Sequence, residues 1–247
     1  MIRLEVAGSV AVATLQRPPV NAIHEAWVAR LREVIAQAKD CHVLLIRSDQ
    51  KVFSAGADLA LMRSRFDSAD GRKAMVALAR AMQSAFALLA ASPLASIAEI
   101  GGAAMGGGLE LALACDLRIA SAAAKLGLPE ARLGLLPGAG GTQRLTRICG
   151  EASAKRLILG AEVVDGTEAA RLGVVQWAVP QAELPARARQ LAQEIAALPA
   201  DALAACKRCI AAAQGAGGYE LELEATGTLL AGAGTQARVR AFLEQRR

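Results

Sequence analysis

The segment Met105-Gly106-Gly107-Gly108-Leu109-Glu110-Leu111 joins three consecutive glycines to a carboxylate where a helix is expected to start. Glycines let another molecule approach the backbone closely, and the first amides of a helix have no intrahelical acceptor, so the turn is a place for negative charge. Glu110, on the first helical turn, keeps an acid/base group beside whatever those amides hold. It also reads as a glutamate complementing the helix dipole on an ordinary strand-to-helix turn. A second carboxylate, Glu130, follows the strand Lys125 to Leu128 and Pro129 and precedes the loop Gly134 to Gly141. Alone it is an ordinary solvated loop residue. Phe53-Ser54-Ala55-Gly56-Ala57-Asp58-Leu59 is a third tight turn, in which Asp58 can bond neighbouring amides. No one of the three decides the chemistry.

Other patterns carry less. Gly138-Ala139-Gly140-Gly141-Thr142-Gln143 has Gln143 where a dinucleotide fingerprint needs its third glycine, and it lacks the Gly-Lys-Ser/Thr ending of a P-loop. Cys206 and Cys209 have metal-ligand spacing without a second pair or a nearby histidine, and Leu203, Cys206 and Ile210 share a helical face, so buried thiols and no metal are expected. His24 and His42 begin a helix and a strand and have no serine nucleophile motif to serve.

The elements that must position these groups follow from periodicity. Ile2 to Val6 and Val10 to Leu15 alternate around Ala7-Gly8-Ser9 as a hairpin, and Trp27, Leu31, Val34, Ile35 and Ala38 recur at helical spacing from about His24 to Lys39. His42 to Arg47 is a buried strand, Val52 to Leu59 a glycine-containing loop, and Arg63 to Arg72 a polar stretch expected to be mobile. A helix from Arg72 to about Ala91 ends at Pro93, and the strand Leu94 to Ile100 leads into the glycine run and a helix to Ala114. Leu117 to Ala120 and Lys125 to Leu128 are short strands, and Pro129 to Gly141 is a loop. Helices follow near 142–149, 152–159 and 167–172, and Val174 to Val179 is a last strand. Beyond Pro180 only helices are expected, near 183–197, 200–213, 219–231 and 235–246. An α/β core with parallel crossovers, followed by a helical appendage, accounts for this order, although periodicity does not give the strand sequence in the sheet.

Composition bounds the function. The 247 residues are 54% hydrophobic and 21% charged, enough for one large core and too apolar for disorder. Four Phe, two Trp and one Tyr leave the packing to Ala, Leu, Val and Ile. A net charge of +5 suits a phosphate-bearing ligand but lacks the basic stripe and stacking aromatics of a nucleic-acid reader. Five irregularly spaced cysteines argue for a reducing, cytoplasmic setting, and Met1-Ile-Arg-Leu-Glu-Val opens directly into strand residues without a signal peptide. The uncharged stretch between Arg80 and Glu99 is long enough for a membrane span, but Pro93 interrupts it and Gln83, Ser84, Ser92 and Ser96 are polar, so a buried helix and strand are expected.

Together the segments resemble the crotonase superfamily, the enoyl-CoA hydratase and isomerase group. The resemblance runs through Asn21-Ala22-Ile23, Phe-Ser-Ala-Gly-Ala-Asp-Leu at 53–59, Gly-Gly-Gly-Leu-Glu-Leu-Ala at 106–112 and Cys115-Asp116. It continues in Leu-Pro-Glu at 128–130, Leu-Pro-Gly-Ala-Gly-Gly-Thr-Gln-Arg-Leu at 136–145 and Ala-Phe-Leu-Glu at 241–244. It implies a spiral of strand-strand-helix turns over residues 1–198, with coenzyme A and the active site, and a helical region over 199–247 that packs homotrimers, commonly paired into hexamers.

The resemblance also assigns roles. The backbone amides of Ala57 and Gly107 would form an oxyanion hole for a thioester carbonyl. Glu110 and Glu130 would hold a water, Glu110 helping to activate it and Glu130 giving a proton to the α-carbon. Coenzyme A, as part of the substrate rather than a separate cofactor, would lie along Ala55, Gly56, Ala57, Asp58 and Leu59 and thread toward Gly107, with Gly138 nearby. Val20 and the neighbouring prolines would form the opposite wall. Ala60 stands where many hydratases carry a lysine, and Gln245 where many end in Glu-Lys-Arg. The implied activity is hydration of a 2-enoyl-CoA in acyl-CoA breakdown. An isomerase would need only one shuttling carboxylate, which the presence of Glu110 argues against. Decarboxylase, dehalogenase and hydrolase relatives place other polar groups in the pocket. An RNA-binding relative would need a lysine-rich helix where residues 72–91 carry only Arg72, Lys73 and Arg80.

Overall fold

Val43-Leu44-Leu45-Ile46 is apolar at every position, and the fold buries both faces of it: Leu44 and Ile46 enter one core cluster, Val43 and Leu45 another. This is the pattern of a parallel strand covered on both sides. The computed structural model describes residues 1–213 and 215–244. In chain order the elements are β1 (Ile2–Ala7), β2 (Val10–Leu15), α1 (Glu25–Gln37), β3 (Val43–Ser48), β4 (Val52–Ser54), α2 (Leu59–Arg65), α3 (Ala69–Ala91), β5 (Ala95–Ile100), β6 (Ala103–Met105) and α4 (Gly107–Ala114). Then come β7 (Leu117–Ser121), β8 (Lys125–Gly127), a 3-10 helix (Pro129–Leu133), α5 (Gly141–Leu159), β9 (Val163–Asp165), α6 (Gly166–Arg171), β10 (Trp177–Val179) and α7 (Leu184–Ala196). The last three are α8 (Ala200–Ala212), α9 (Gly218–Ala231) and α10 (Ala233–Glu244). Gln245 lies outside the described residues.

The chain divides into two compact units, Met1–Ala196 and Ala197–Arg247. In the first, a six-stranded sheet has the order β1-β2-β3-β5-β7-β10 and a four-stranded sheet the order β4-β6-β8-β9. The β1–β2 hairpin is antiparallel, whereas β2, β3, β5, β7 and β10 pair in parallel. Each turn of the chain spends one strand on the large sheet and the next on the small one before a helix returns it: β3 then β4, β5 then β6, β7 then β8. That is the strand-strand-helix spiral the resemblance implies. One face of the large sheet packs with α1 and α3 through Trp27, Leu31, Leu78, Phe86 and Leu89. The other lies under α7, whose Leu184, Ala188, Leu191 and Ala192 form one helical stripe. In the second unit α8, α9 and α10 pack in sequence, with Ala205 and Ala225 buried.

Several boundaries differ from the periodicity. The polar stretch from Arg63 is largely helical, because Asp58 accepts from the Ala60 and Leu61 amides to start α2, and Ser68 accepts from Gly71 to start α3 at Ala69 rather than Arg72. The glycine-containing loop at 52–59 begins as strand β4, and the loop after Pro129 contains a 3-10 turn. The two helices expected on either side of Gly150 are present, labelled together as α5, and meet at a kink at that residue, where φ is 79°. The last strand starts at Trp177, since the Val174 and Val175 amides donate back to the Ala169 carbonyl instead. Helix α3 is apolar enough to resemble a span, and its Leu78, Met82, Ala85, Phe86 and Leu89 are buried.

Candidate active site

The small sheet brings the three singled-out segments together. Strands β4, β6 and β8 are neighbours in parallel register, so their C-terminal ends open on the same side. From those ends leave Ala55–Leu59, Gly106–Gly107 and, after Leu128, Glu130. A cavity of about 270 Å³ lies there, lined among others by Ala55, Ala57, Leu59, Gly107, Glu110, Glu130 and Gly138. Of the residues assigned to substrate, Gly56 and Asp58 do not line it. Gly56, at φ 90°, packs so closely on the next turn that a Cβ would come within 2.9 Å of the Gly107 nitrogen. Asp58 caps α2 and pairs with Arg17 at 2.8 Å. The Leu61 amide and Arg17 hold its carboxyl below the usual range.

Two amides converge on the cavity. Ile23 donates to the Gly56 carbonyl at 2.8 Å and accepts from Asp58 at 3.0 Å, a parallel bridge that turns the intervening Ala57 N–H to the opposite side. Gly107 opens α4 ahead of the first helical bond, Glu110 to the Gly106 carbonyl, so its N–H has no intrahelical acceptor. A Cβ at Gly107 would sit 3.4 Å from the Ala57 nitrogen, which puts the two donors side by side. The glycine run makes this approach possible. Gly106 adopts φ 50° and leaves the space where Glu130 Oε1 lies, 2.7 Å from where a Cβ would be, while Gly108 rests directly on the Ser54 carbonyl.

Glu110 is 2% exposed, and its Oε1 accepts from the Ala139 and Gly141 amides, both at 2.7 Å. Burial lifts its carboxyl to about 7; the negative charge of Glu130 adds to this, and the two amides and Arg144 oppose it. Burial also raises Glu130, whose Oε2 is enclosed without a hydrogen-bond partner among the described residues. The Glu130 charge disfavours ionisation of Glu110, so the two do not readily carry charge together. When Glu130 is protonated, the charge that lifts Glu110 is gone, and the amides and Arg144 favour the Glu110 anion. The arrangement can therefore hold one acid and one base next to two unpaired amides.

The rest of the cavity was not foreseen from the sequence. Met75, Leu78, Ala79 and Met82 present one face of α3, and Met62, Met105, Leu133, Leu135 and Leu136 complete an apolar wall. The spacing of the α3 residues, at three, four and seven positions, was a usable signal. The Ala139 and Gly141 amides on Glu110 had none, since a backbone donor leaves no mark in side-chain identity. Gln83 of α3 donates to the Gly138 carbonyl at 2.7 Å and ties the 136–141 loop to this wall. No cluster of three or more metal-ligating side chains occurs among the described residues.

The family model described as enoyl-CoA hydratase/isomerase matches residues 5–247. A probable enoyl-CoA hydratase of Bacillus subtilis is 37% identical over 253 residues, covering 100% of this chain and 96% of that protein. The human mitochondrial enoyl-CoA hydratase domain-containing protein 2 is 47% identical over 190 residues, 73% of this chain, and the match spans 63% of that longer protein. The solved structure of Pseudomonas aeruginosa DspI superposes with a TM-score of 0.92 at 37% identity, covering 99% of this chain and 94% of that one.

Proposed function

The chain belongs to the enoyl-CoA hydratase/isomerase family of the crotonase superfamily, and from that premise we propose that it is a hydratase, adding water across the double bond of a trans-2-enoyl-CoA to give the 3-hydroxyacyl-CoA. The observation that carries this reading is that Glu110 and Glu130 line one cavity together with Ala57 and Gly107. A thioester carbonyl placed between the two N–H groups has its oxygen where negative charge develops when water attacks the β-carbon. Donors fixed there before the reaction stabilise that enolate, and one such donor is worth roughly 3 to 4 kcal/mol of barrier. A water between the carboxyls gives its proton to the Glu110 anion as its oxygen bonds to the β-carbon. The enolate then collapses by taking the Glu130 proton at the α-carbon. The apolar wall excludes bulk water from the enolate and accommodates the acyl chain.

A short and a long trans-2-enoyl-CoA incubated with the purified protein test this directly. Loss of the conjugated double bond with gain of one water in mass supports hydration. Migration of the double bond without a mass change would assign isomerase activity instead, and no turnover of either thioester would overturn the reading. In the same reading the protein is a homotrimer or a pair of trimers, with exposed Ile210, Tyr219 and Leu223 of the second unit available for contact. Light scattering that gives a monomer mass would remove that part.

A further inference from the structure

Helix α5 carries a guanidinium that the catalytic scheme above does not use. Arg144 Nη1 donates to the Ala139 carbonyl at 3.0 Å, and the amide of that same residue donates to Glu110 Oε1 at 2.7 Å. Gly141 supplies the second donor to that oxygen, also at 2.7 Å. Between them Gly140 adopts φ 107°, and the guanidinium occupies the space into which a Cβ there would project. The backbone from 139 to 141 is thus folded around one arginine so that two N–H groups point at one carboxylate oxygen. Among the described residues no donor meets the other oxygen of Glu110, which remains for the cavity.

We propose that Arg144 is a positioning residue of the active site: its hold on the Ala139 carbonyl aims the Ala139 and Gly141 amides at Glu110. The inference rests on the hydratase reading for its consequence in turnover, but not for its effect on Glu110 itself. The charged and titratable groups bearing on this cluster are Glu110 from α4, Cys115 at the end of α4, Glu130 from the 3-10 turn, and Arg144 and Arg147 from α5. Of these, Arg144 is the cation that opposes the raised Glu110 carboxyl. Its planar fork also fixes a direction that an ammonium would not.

The test is an infrared titration of protein labelled with carboxyl-13C glutamate, the Glu110 band assigned by difference against Glu110→Gln, with steady-state kinetics in parallel. In Arg144→Met the Glu110 midpoint should rise by about one pH unit, the lower end of what loss of a nearby opposite charge brings. kcat should fall about tenfold with KM within about twofold, because the base is misaimed while substrate contacts stay. Arg144→Lys should restore the midpoint but not kcat. A folded Arg144→Met protein with an unchanged Glu110 midpoint would overturn the proposal. If Arg144→Met does not fold, Arg144→Lys decides: reduced kcat with a wild-type midpoint supports it, and wild-type kcat refutes it. Should the unaltered protein show no hydratase turnover, the functional reading fails, while the infrared midpoints still judge Arg144.

Discussion

The molecule buries carboxyls in two regions, and they differ in what they face. Glu99, on β5 beneath α7, is 4% exposed, lies 3.7 Å from Arg47, and leaves its own Oε2 and the Arg47 Nε without hydrogen-bond partners among the described residues. Glu110 and Glu130 lie at the open ends of the small sheet, beside each other and beside two backbone amides. Burial raises all three carboxyls. A perturbed carboxyl is therefore not by itself a site. What separates the regions is access: one pair meets a cavity and spare donors, while the other carboxyl meets an arginine inside packed side chains.

The largest expected difference is in turnover. Glu110→Gln and Glu130→Gln should each lower kcat by about 100-fold or more, up to about 10,000-fold, as removal of a general acid or base does. Circular dichroism should show the fold intact in both. Near-normal kcat in either variant would remove that residue from its role.

Stability against pH gives the next largest effect. The Glu110 carboxyl is lifted from 4.5 to about 7 in the folded protein, so the folded state binds this proton more tightly than the unfolded chain. The stability gained is complete below pH 4.5 and is lost as pH rises through about 7. The full loss is about 3 kcal/mol. Denaturant unfolding at pH 5 and pH 8 should show this dependence in the wild type and a flatter one in Glu110→Gln, the remaining slope coming from Glu99 and Glu130, which burial also raises; parallel curves would mean that Glu110 is not the group responsible.

A smaller effect is expected where the chain leaves room for the acid. Gly106→Ala would force a side chain into φ 50° and push aside the Glu130 carboxyl, costing about 1 to 3 kcal/mol. Tm and kcat should fall together. Least affected should be Glu99→Gln, with kcat within about twofold of wild type, since it shares the burial of Glu110 without its surroundings. An equal loss at positions 99 and 110 would erase the distinction between the two regions.

Much of this was legible in the sequence where one segment carries its own meaning. The glycines at 106–108 and Glu110 lie within one turn, so close approach, free amides and a carboxylate could be read from neighbouring letters. The continuous apolar run at 43–46 announced a strand covered on both faces. What escaped depends on partners far along the chain. Strands β6 and β9 are three residues each, too short for a periodic signal, and exist because neighbours complete their hydrogen bonds. Arg144 is nearer, five residues from its partner, but the carbonyl of Ala139 that it holds leaves no mark in side-chain identity. The apolar wall is assembled from α2, α3, β6 and the 133–136 segment, so its composition becomes visible only once those pieces meet.

That wall includes Met62, Met75, Met82 and Met105. Thioether side chains have three rotatable bonds and no branch, so they yield where isoleucine or valine would resist. For an acyl group seated there, one extra methylene is absorbed by rotamer changes rather than by the 1 to 3 kcal/mol of strain that overfilling a stiff core brings, roughly. On the hydratase reading, rigid backbone would fix the reacting atoms, while compliant sulfur would set only a soft limit on the length of the tail behind them.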